Sequence, residues 1–438
     1  MKQDTSFKIR DGITLASSYL AFPLIALISG PLAARVLGPH GRGEVAAIMA
    51  PIGIAENLAT FGLPIAAAYF TTRGVPARVV FRKCLPIAVL AGALGCLALV
   101  ALAPLLLTQQ KELVTLLRLA SLYVPLVVFI SVIRGIQNGR ARYSLLSAER
   151  WTQALTRLAL MVCAVVAGVY FTESAVLINV AAAVLASLIL LRRTKPVSPE
   201  TQAAHPAHVS TKEVFGFSLR AWGVQVGAAA NTRIDQAILV PFVGMKELGL
   251  YAVAAMAVDL PASFFSAAQK VALGSAAGHD RQQQMQRVAR ISVTFGLLVT
   301  LFCVPLAPLF LTALFGAEFQ AGITSLQVLL LGLTPWGLSQ IMTSALSGIN
   351  RPGAAAIAET AALVITLALL PFAAMRMGIE GAALVSVLSY IVAAGLKCIS
   401  WFRTTGCRAP ELLVLSRGDI AWIKSQLARR TKRMSPRN

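Results

Sequence analysis

Residues 84–107 read CLPIAVLAGALGCLALVALAPLLL, twenty-four positions without one charged side chain. A helix needs about 20 apolar residues to cross the hydrocarbon core of a bilayer, so this stretch is long enough to span it. Eleven more runs of the same kind flank it. Upstream lie Gly12–Ala34 and Val45–Phe70; downstream lie Leu113–Ile133, Trp151–Phe171 and Ser174–Leu191, then Val214–Val240, Leu250–Ala268, Ile291–Leu314, Ile323–Leu346, Ala354–Ala374 and Gly381–Ile399. Twelve runs predict an all-α membrane protein. With 57% of 438 residues apolar and only 13% charged, the chain lacks the polar surface that a soluble enzyme or a nucleic-acid binder needs.

The net charge of +21 then needs a membrane explanation, and the loops supply one. With the N-terminus in the cytoplasm, thirty of the 39 basic residues fall on the cytoplasmic side, Lys397 counted among them; six fall outside and three (Arg157, Arg220, Arg233) inside spans. Under the positive-inside rule both termini are cytoplasmic, and the expected location is a bacterial inner membrane. The first run lacks a clear cleavage site and reads as a retained helix. The six cysteines are isolated and mostly within apolar runs; His205 and His208 lie in a polar linker. No disulfide framework, metal site or cofactor is expected.

The longest hydrophilic stretch, 192–213, carries three prolines and divides the chain into an N-terminal lobe (1–192), a linker (193–213), a C-terminal lobe (214–402) and a basic tail (403–438). Sliding one half over the other by 206 positions brings Gly43 onto Gly249 and Ala46 onto Ala252; an offset of 210 brings Glu149 onto Glu359. Matched spans in one order are what a six-plus-six repeat around a central cavity leaves behind. In the tail, Ile420, Trp422, Ile423 and Leu427 at helical spacing beside Lys424, Arg429, Arg430, Lys432 and Arg433 predict a basic helix on the inner leaflet.

Three stretches resemble the bacterial polysaccharide flippases of the multidrug/oligosaccharidyl-lipid/polysaccharide (MOP) exporter superfamily. They are Ala34-Arg35-Val36-Leu37-Gly38-Pro39 with Gly41-Arg42-Gly43-Glu44 and Phe61-Gly62-Leu63-Pro64; Arg233-Ile234-Asp235 with Leu248-Gly249-Leu250-Tyr251-Ala252; and Gly378-Ile379-Glu380-Gly381 ahead of Ser389-Tyr390. One departure is Lys270-Val271-Ala272-Leu273-Gly274, where that family often has an aromatic-proline step. The resemblance implies two six-helix lobes and translocation of a polyprenyl-diphosphate-linked oligosaccharide from the inner to the outer leaflet, ahead of polymerisation. A multidrug or other lipid-linked exporter of the superfamily is a second reading, and a membrane-embedded polysaccharide polymerase or ligase a third. The short, nearly uncharged outer loops disfavour the enzyme.

An ionised side chain at mid-bilayer costs about 3 kcal/mol even on a lenient scale, so those retained should face a wet cavity or each other. Arg134, Arg157 and Arg220 are placed toward the cytoplasmic side, where guanidinium forks can take a lipid diphosphate. On a regular helix Arg220 and Asn231 lie only about 20° apart and Asp235 about 60° from Arg220, a polar stripe up span seven. The carboxylates Glu56, Glu149, Asp235, Asp259 and Glu359 are candidates for coupling to a proton or sodium ion, since no nucleotide-binding motif is present. Their alternative role is pairing with an arginine of their own lobe, Glu56 with Arg157 for example. The loop His40-Gly41-Arg42-Gly43 reads as a tight turn. Other expected partners are membrane lipid and the polymerase machinery; no nucleic acid is expected.

Overall fold

A computed structural model describes residues 9–108, 110–192, 209–230, 234–275, 281–349, 351–414 and 418–419. Among these residues there is no strand, and twelve long helical segments follow one another. They are α1 (9–37), α2 (39–72), α3 (Ala77–Leu106), α4 (111–139), α5 (Tyr143–Val166) and α6 (Thr172–Arg192). Then come α7 (the two pieces Thr211–Ala230 and Ile234–Leu239), α8 (Met245–Ser275), α9 (Arg281–Phe315), α10 (323–348), α11 (352–377) and α12 (379–405). Each apolar run of the sequence lies on one of them. The basic segment 420–438, most of the linker, Asn231 and Arg233 lie outside the described residues.

Two chain reversals need only one glycine each. Gly38 (φ 64°) turns α1 into α2 and Gly378 (φ 57°) turns α11 into α12, both in a region that side chains disfavour. This corrects the tight turn expected at 40–43: the reversal is finished at Gly38, Pro39 opens α2, and Arg42 stands in the first turns of a helix. Within α2 the helix breaks at Phe61 and Gly62, both at positive φ, and restarts with Pro64 in its first turn.

Lipid tails are as apolar as leucine, so helices in a membrane associate through close packing at small residues. The most extensive pairing joins α1 and α2 to α8, across the two halves of the chain. At its centre the backbones touch: a Cβ on Gly43 would strike the Met245 carbonyl, and one on Gly249 would strike the Pro39 carbonyl. Gly135 and Gly139 also bring α4 close to the backbone of Pro64 and Ala68 of α2. The main core runs through both halves, from Ala47, Ile48 and Leu63 to Leu248, Tyr251 and Val253. Outward, α3 and α9 expose Leu94, Leu97, Leu105, Leu301, Phe302 and Leu309. A surface this apolar suits lipid and no other solvent.

The halves also meet at the opposite end, through aromatics. Phe61 stacks on Phe215 (5.6 Å between centroids), Tyr69 stacks on Phe217 (4.2 Å), and the Trp222 indole donates to the Leu58 carbonyl (2.9 Å). Beneath α9, the short helix Ala409–Leu413 and residues 418–419 fold back. The buried Asp419 carboxylate there accepts from Arg287 Nε (3.1 Å) and from Arg290 Nε (2.6 Å) and Nη2 (2.9 Å).

Candidate functional site

A cavity of about 620 Å³ lies between the halves, adjoining the Gly43–Gly249 crossing. Its N-terminal wall carries Arg42 from α2, Arg157 from α5, Tyr170 from the α5–α6 connection and Asn179 from α6. The C-terminal wall carries Gln236 from α7, Asp259 and Ser263 from α8, and Trp336 from α10. The cationic groups thus belong to one half and the carboxylate to the other. Both guanidinium charges reach the buried Tyr170 phenol, and Arg42 Nη2 also touches Met256 Sδ (3.7 Å) across the interface.

A second cavity of about 270 Å³ shares Gln236, Asp259, Ala262 and Trp336 with the first and continues into the C-terminal half. It adds Asp235 and Tyr390. Asp235 is held from three sides: by the Tyr251 hydroxyl (2.5 Å), the Ser386 hydroxyl (3.4 Å) and the Gln236 backbone N–H (2.7 Å). These bonds come from α7, α8 and α12, so the carboxylate has a fixed orientation.

The arginines expected at one place separate in the structure. Arg157 stands past the midpoint of α5, at the end of the bundle that carries the α1–α2 turn, whereas it was expected at the opposite, cytoplasmic end. The cause is the helix start: α5 begins at Tyr143, eight residues before the apolar run, and eight residues rise about 12 Å. Arg134 donates through Nε (2.9 Å) and Nη2 (2.5 Å) to one oxygen of the buried Glu149, within its own lobe. Arg220 is exposed and donates to the Gly216 carbonyl of its own helix (3.2 Å). Glu56 sits on α2 within the field of Arg134 rather than Arg157. With Asn231 outside the described residues, the stripe on α7 is represented by Arg220 and Asp235 alone.

Glu359, the repeat partner of Glu149, is also ion-paired inside its lobe. Its cation is Lys397, which is fully buried on α12 and also donates to the Ser339 (2.6 Å) and Thr343 (2.8 Å) hydroxyls. This corrects the counting of Lys397 among the cytoplasmic basic residues. Arg42 and Lys397 are the two charged groups that the sequence reading missed. A signal was available for both: Arg42 lies one residue from Gly43 in the repeat match, and Lys397 is a charge inside the apolar run Gly381–Ile399, although its partner Glu359 is 38 residues away.

The fold is that of MOP superfamily transporters. An inward-facing multidrug resistance MATE family transporter of that superfamily aligns with 90% of this chain and all of its own (TM-score 0.66, 16% identity). The lipid II flippase MurJ, in an inward closed conformation, aligns with 89% of this chain and 87% of its own (0.72, 14%). A MOP transporter from Pyrococcus furiosus aligns with 90% and 95% (0.62, 15%). Residues 9–273, more than half of the chain, match the family described as polysaccharide biosynthesis protein, and the chain belongs to that family. No curated protein sequence matches it. The chain is accordingly a multi-pass membrane protein of that family, with the fold of MOP superfamily transporters.

Proposed function

We propose that the protein is a flippase that carries a polyprenyl-diphosphate-linked oligosaccharide across the bacterial inner membrane, from the cytoplasmic to the outer leaflet, by alternating access. The observation that carries this reading is the paired guanidinium groups of Arg42 and Arg157 on one wall of the cavity between the halves. A diphosphate leaving water needs its charge matched, and guanidinium forks match phosphate oxygens in both charge and geometry. The family description, polysaccharide biosynthesis, supports a sugar-bearing cargo.

In this reading both termini are cytoplasmic, as the basic loops favour, and the Gly43–Gly249 crossing closes the outer end. Arg134 is a strut that pairs with Glu149, and Arg220 meets headgroups at the cytoplasmic rim. The driving ion, a proton or sodium, acts through Asp235 in the side cavity and Glu56 in the N-terminal lobe. Delivery to the polymerase machinery follows release on the outer side.

The test is polysaccharide export in a strain that depends on this protein. Arg157→Ala and Arg42→Ala are expected to abolish export at unchanged protein level, with Lys at either position restoring it in part because the fork is lost. Full export by the double alanine variant refutes the reading.

A further inference from the structure

We infer that the N-terminal half carries a binding site for an anionic phospholipid at the end of the bundle where the aromatics meet, its headgroup phosphate held by Arg73, Arg82 and Arg140 and its acyl chains lying along α3. In the orientation given above this end faces the inner leaflet. The ligand is a lipid of the membrane itself, distinct from the cargo of the central cavity.

The charge at this end is one-sided. Segments 57–111 and 113–148 contain no aspartate or glutamate, yet the α2–α3 connection, the first turns of α3 and the α4–α5 turn carry Arg73, Arg78, Arg82, Lys83, Arg140 and Arg142. The positive-inside rule asks for basic residues at this end but not for their crowding in one turn. Arg140 and Arg142 flank Ala141, which sits at φ 53°, in a region that side chains disfavour. The Ala141 N–H donates to the Asn138 carbonyl (2.9 Å) and the Arg142 N–H to the Gln137 carbonyl (3.0 Å), so the turn is closed and two guanidinium groups are kept two residues apart. Burial, together with the neighbouring Arg142 charge, holds the Arg140 guanidinium below its usual range. A strained turn that gathers like charge is relieved by an anion, and guanidinium forks fit phosphate oxygens.

The three loops are fixed to one another before any lipid arrives. Thr72 Oγ1 donates to the Gly139 carbonyl (3.3 Å), and a Cβ on Gly139 would strike the Ala68 carbonyl, so the end of α2 is locked to the α4–α5 turn. The Arg73 guanidinium lies over the Tyr69 ring (4.4 Å), which is itself stacked on Phe217. Phe81 meets Phe129 edge-on (5.3 Å) and packs against the cluster of Ile133, Leu145 and Leu146, which sets the first turns of α3 beside the same turn. Preorganised cations lose little freedom when a phosphate binds.

Below these cations the surface changes to one that suits acyl chains. Arg78, Arg82, Pro86, Val89 and Ala93 are all exposed, and on a regular helix they fall within about 80° of arc. One stripe of α3 thus runs from two guanidinium groups to bare apolar side chains, the sequence of surfaces that a phospholipid presents from headgroup to tail.

The experiment is native mass spectrometry of the full-length protein in a neutral detergent, titrated with short-chain phosphatidylglycerol or phosphatidylcholine. The parent is expected to bind phosphatidylglycerol about tenfold more tightly than phosphatidylcholine. Arg73→Ala with Arg140→Ala should remove that preference, Arg82→Ala should reduce it, and Arg140→Lys should keep part of it because the charge stays while the fork is lost. Arg403→Ala with Arg408→Ala, which removes two exposed charges from the C-terminal half, should leave it intact. An excess of short prenyl diphosphate should not displace the phosphatidylglycerol. Equal binding of the two lipids by the parent overturns the proposal, as does a preference that survives Arg73→Ala with Arg140→Ala. So does an equal loss in the Arg403 and Arg408 variant, which would mean attraction by overall charge, or displacement by the prenyl diphosphate, which would make the site part of the cargo path. None of these outcomes depends on the export assay that tests the flippase reading.

Discussion

Replacing Gly249 by alanine probes how the two halves close. A Cβ at this position would lie well inside the contact distance of the Pro39 carbonyl and against the Gly43 backbone nitrogen, neither of which can rotate away. The helices must separate, and overpacking of this kind costs typically about 1–3 kcal/mol. A state in which this end is open does not carry that cost, so the closed-to-open ratio should fall roughly five- to 150-fold. Gly43→Ala should act in the same direction, since its Cβ meets the Met245 carbonyl. The assay is labelling of a cavity-lining cysteine, Ala257→Cys, by a membrane-impermeant maleimide applied from the α1–α2 side, in a background with the partly exposed Cys163 and Cys303 changed to alanine. Labelling by the Gly249→Ala protein should be faster than by its parent. Equal or slower labelling, with both proteins folded, refutes the idea that this crossing is what closes the cavity.

Three further outcomes follow from buried charge. Lys397→Met leaves Glu359 buried without its cation and should destabilise the protein by about 3–5 kcal/mol, whereas Lys397→Met with Glu359→Leu should recover most of the loss; thermal unfolding in detergent measures both. Asp419→Asn keeps the shape but weakens the bonds to Arg287 and Arg290, and should cost about 1–3 kcal/mol and speed proteolysis after Arg408, read by limited trypsin digestion. In proteoliposomes with imposed proton or sodium gradients, Glu56→Gln or Asp235→Asn should transport without responding to the gradient; if both variants respond as the parent does, neither carboxylate couples transport.

Much of the fold was legible because a membrane imposes one length and one composition on every span. The helix ends were less legible, for the same physical reason. Residues 143–150 (Tyr, Ser, Leu, Leu, Ser, Ala, Glu, Arg) are helical in the structure but too polar to extend an apolar run, and this concealed the first two turns of α5. Arg157 consequently looked shallow although it lies deep. Lys397 was mistaken in the opposite direction. A count of loop charges treats it as solvated although it lies inside the run Gly381–Ile399; on α12, Lys397 points into a nest of Glu359, Ser339 and Thr343. The site is less legible than the fold because its walls come from residues as far apart as Arg42 and Trp336, joined only by the packing of α2, α5, α8 and α10.

The distribution of charge also bears on which motion is inexpensive. The strong ionic contacts described lie within a half: Arg134 with Glu149 in one, Lys397 with Glu359 and Arg290 with Asp419 in the other. Separating a buried pair leaves uncompensated charges in a medium that solvates them poorly, so each half resists internal rearrangement. Contacts between the halves are of another kind. At one end they are glycine backbone, joined by exposed Arg35, whose guanidinium donates to the Ala313 (2.6 Å) and Leu314 (3.0 Å) carbonyls at the C-terminal end of α9. At the other they are stacked aromatics with one indole hydrogen bond. Parting either surface exposes apolar groups and an arginine already half in solvent. Rocking one intact half against the other is therefore the low-cost deformation, and it moves the cationic wall relative to the acidic wall as the cavity changes sides.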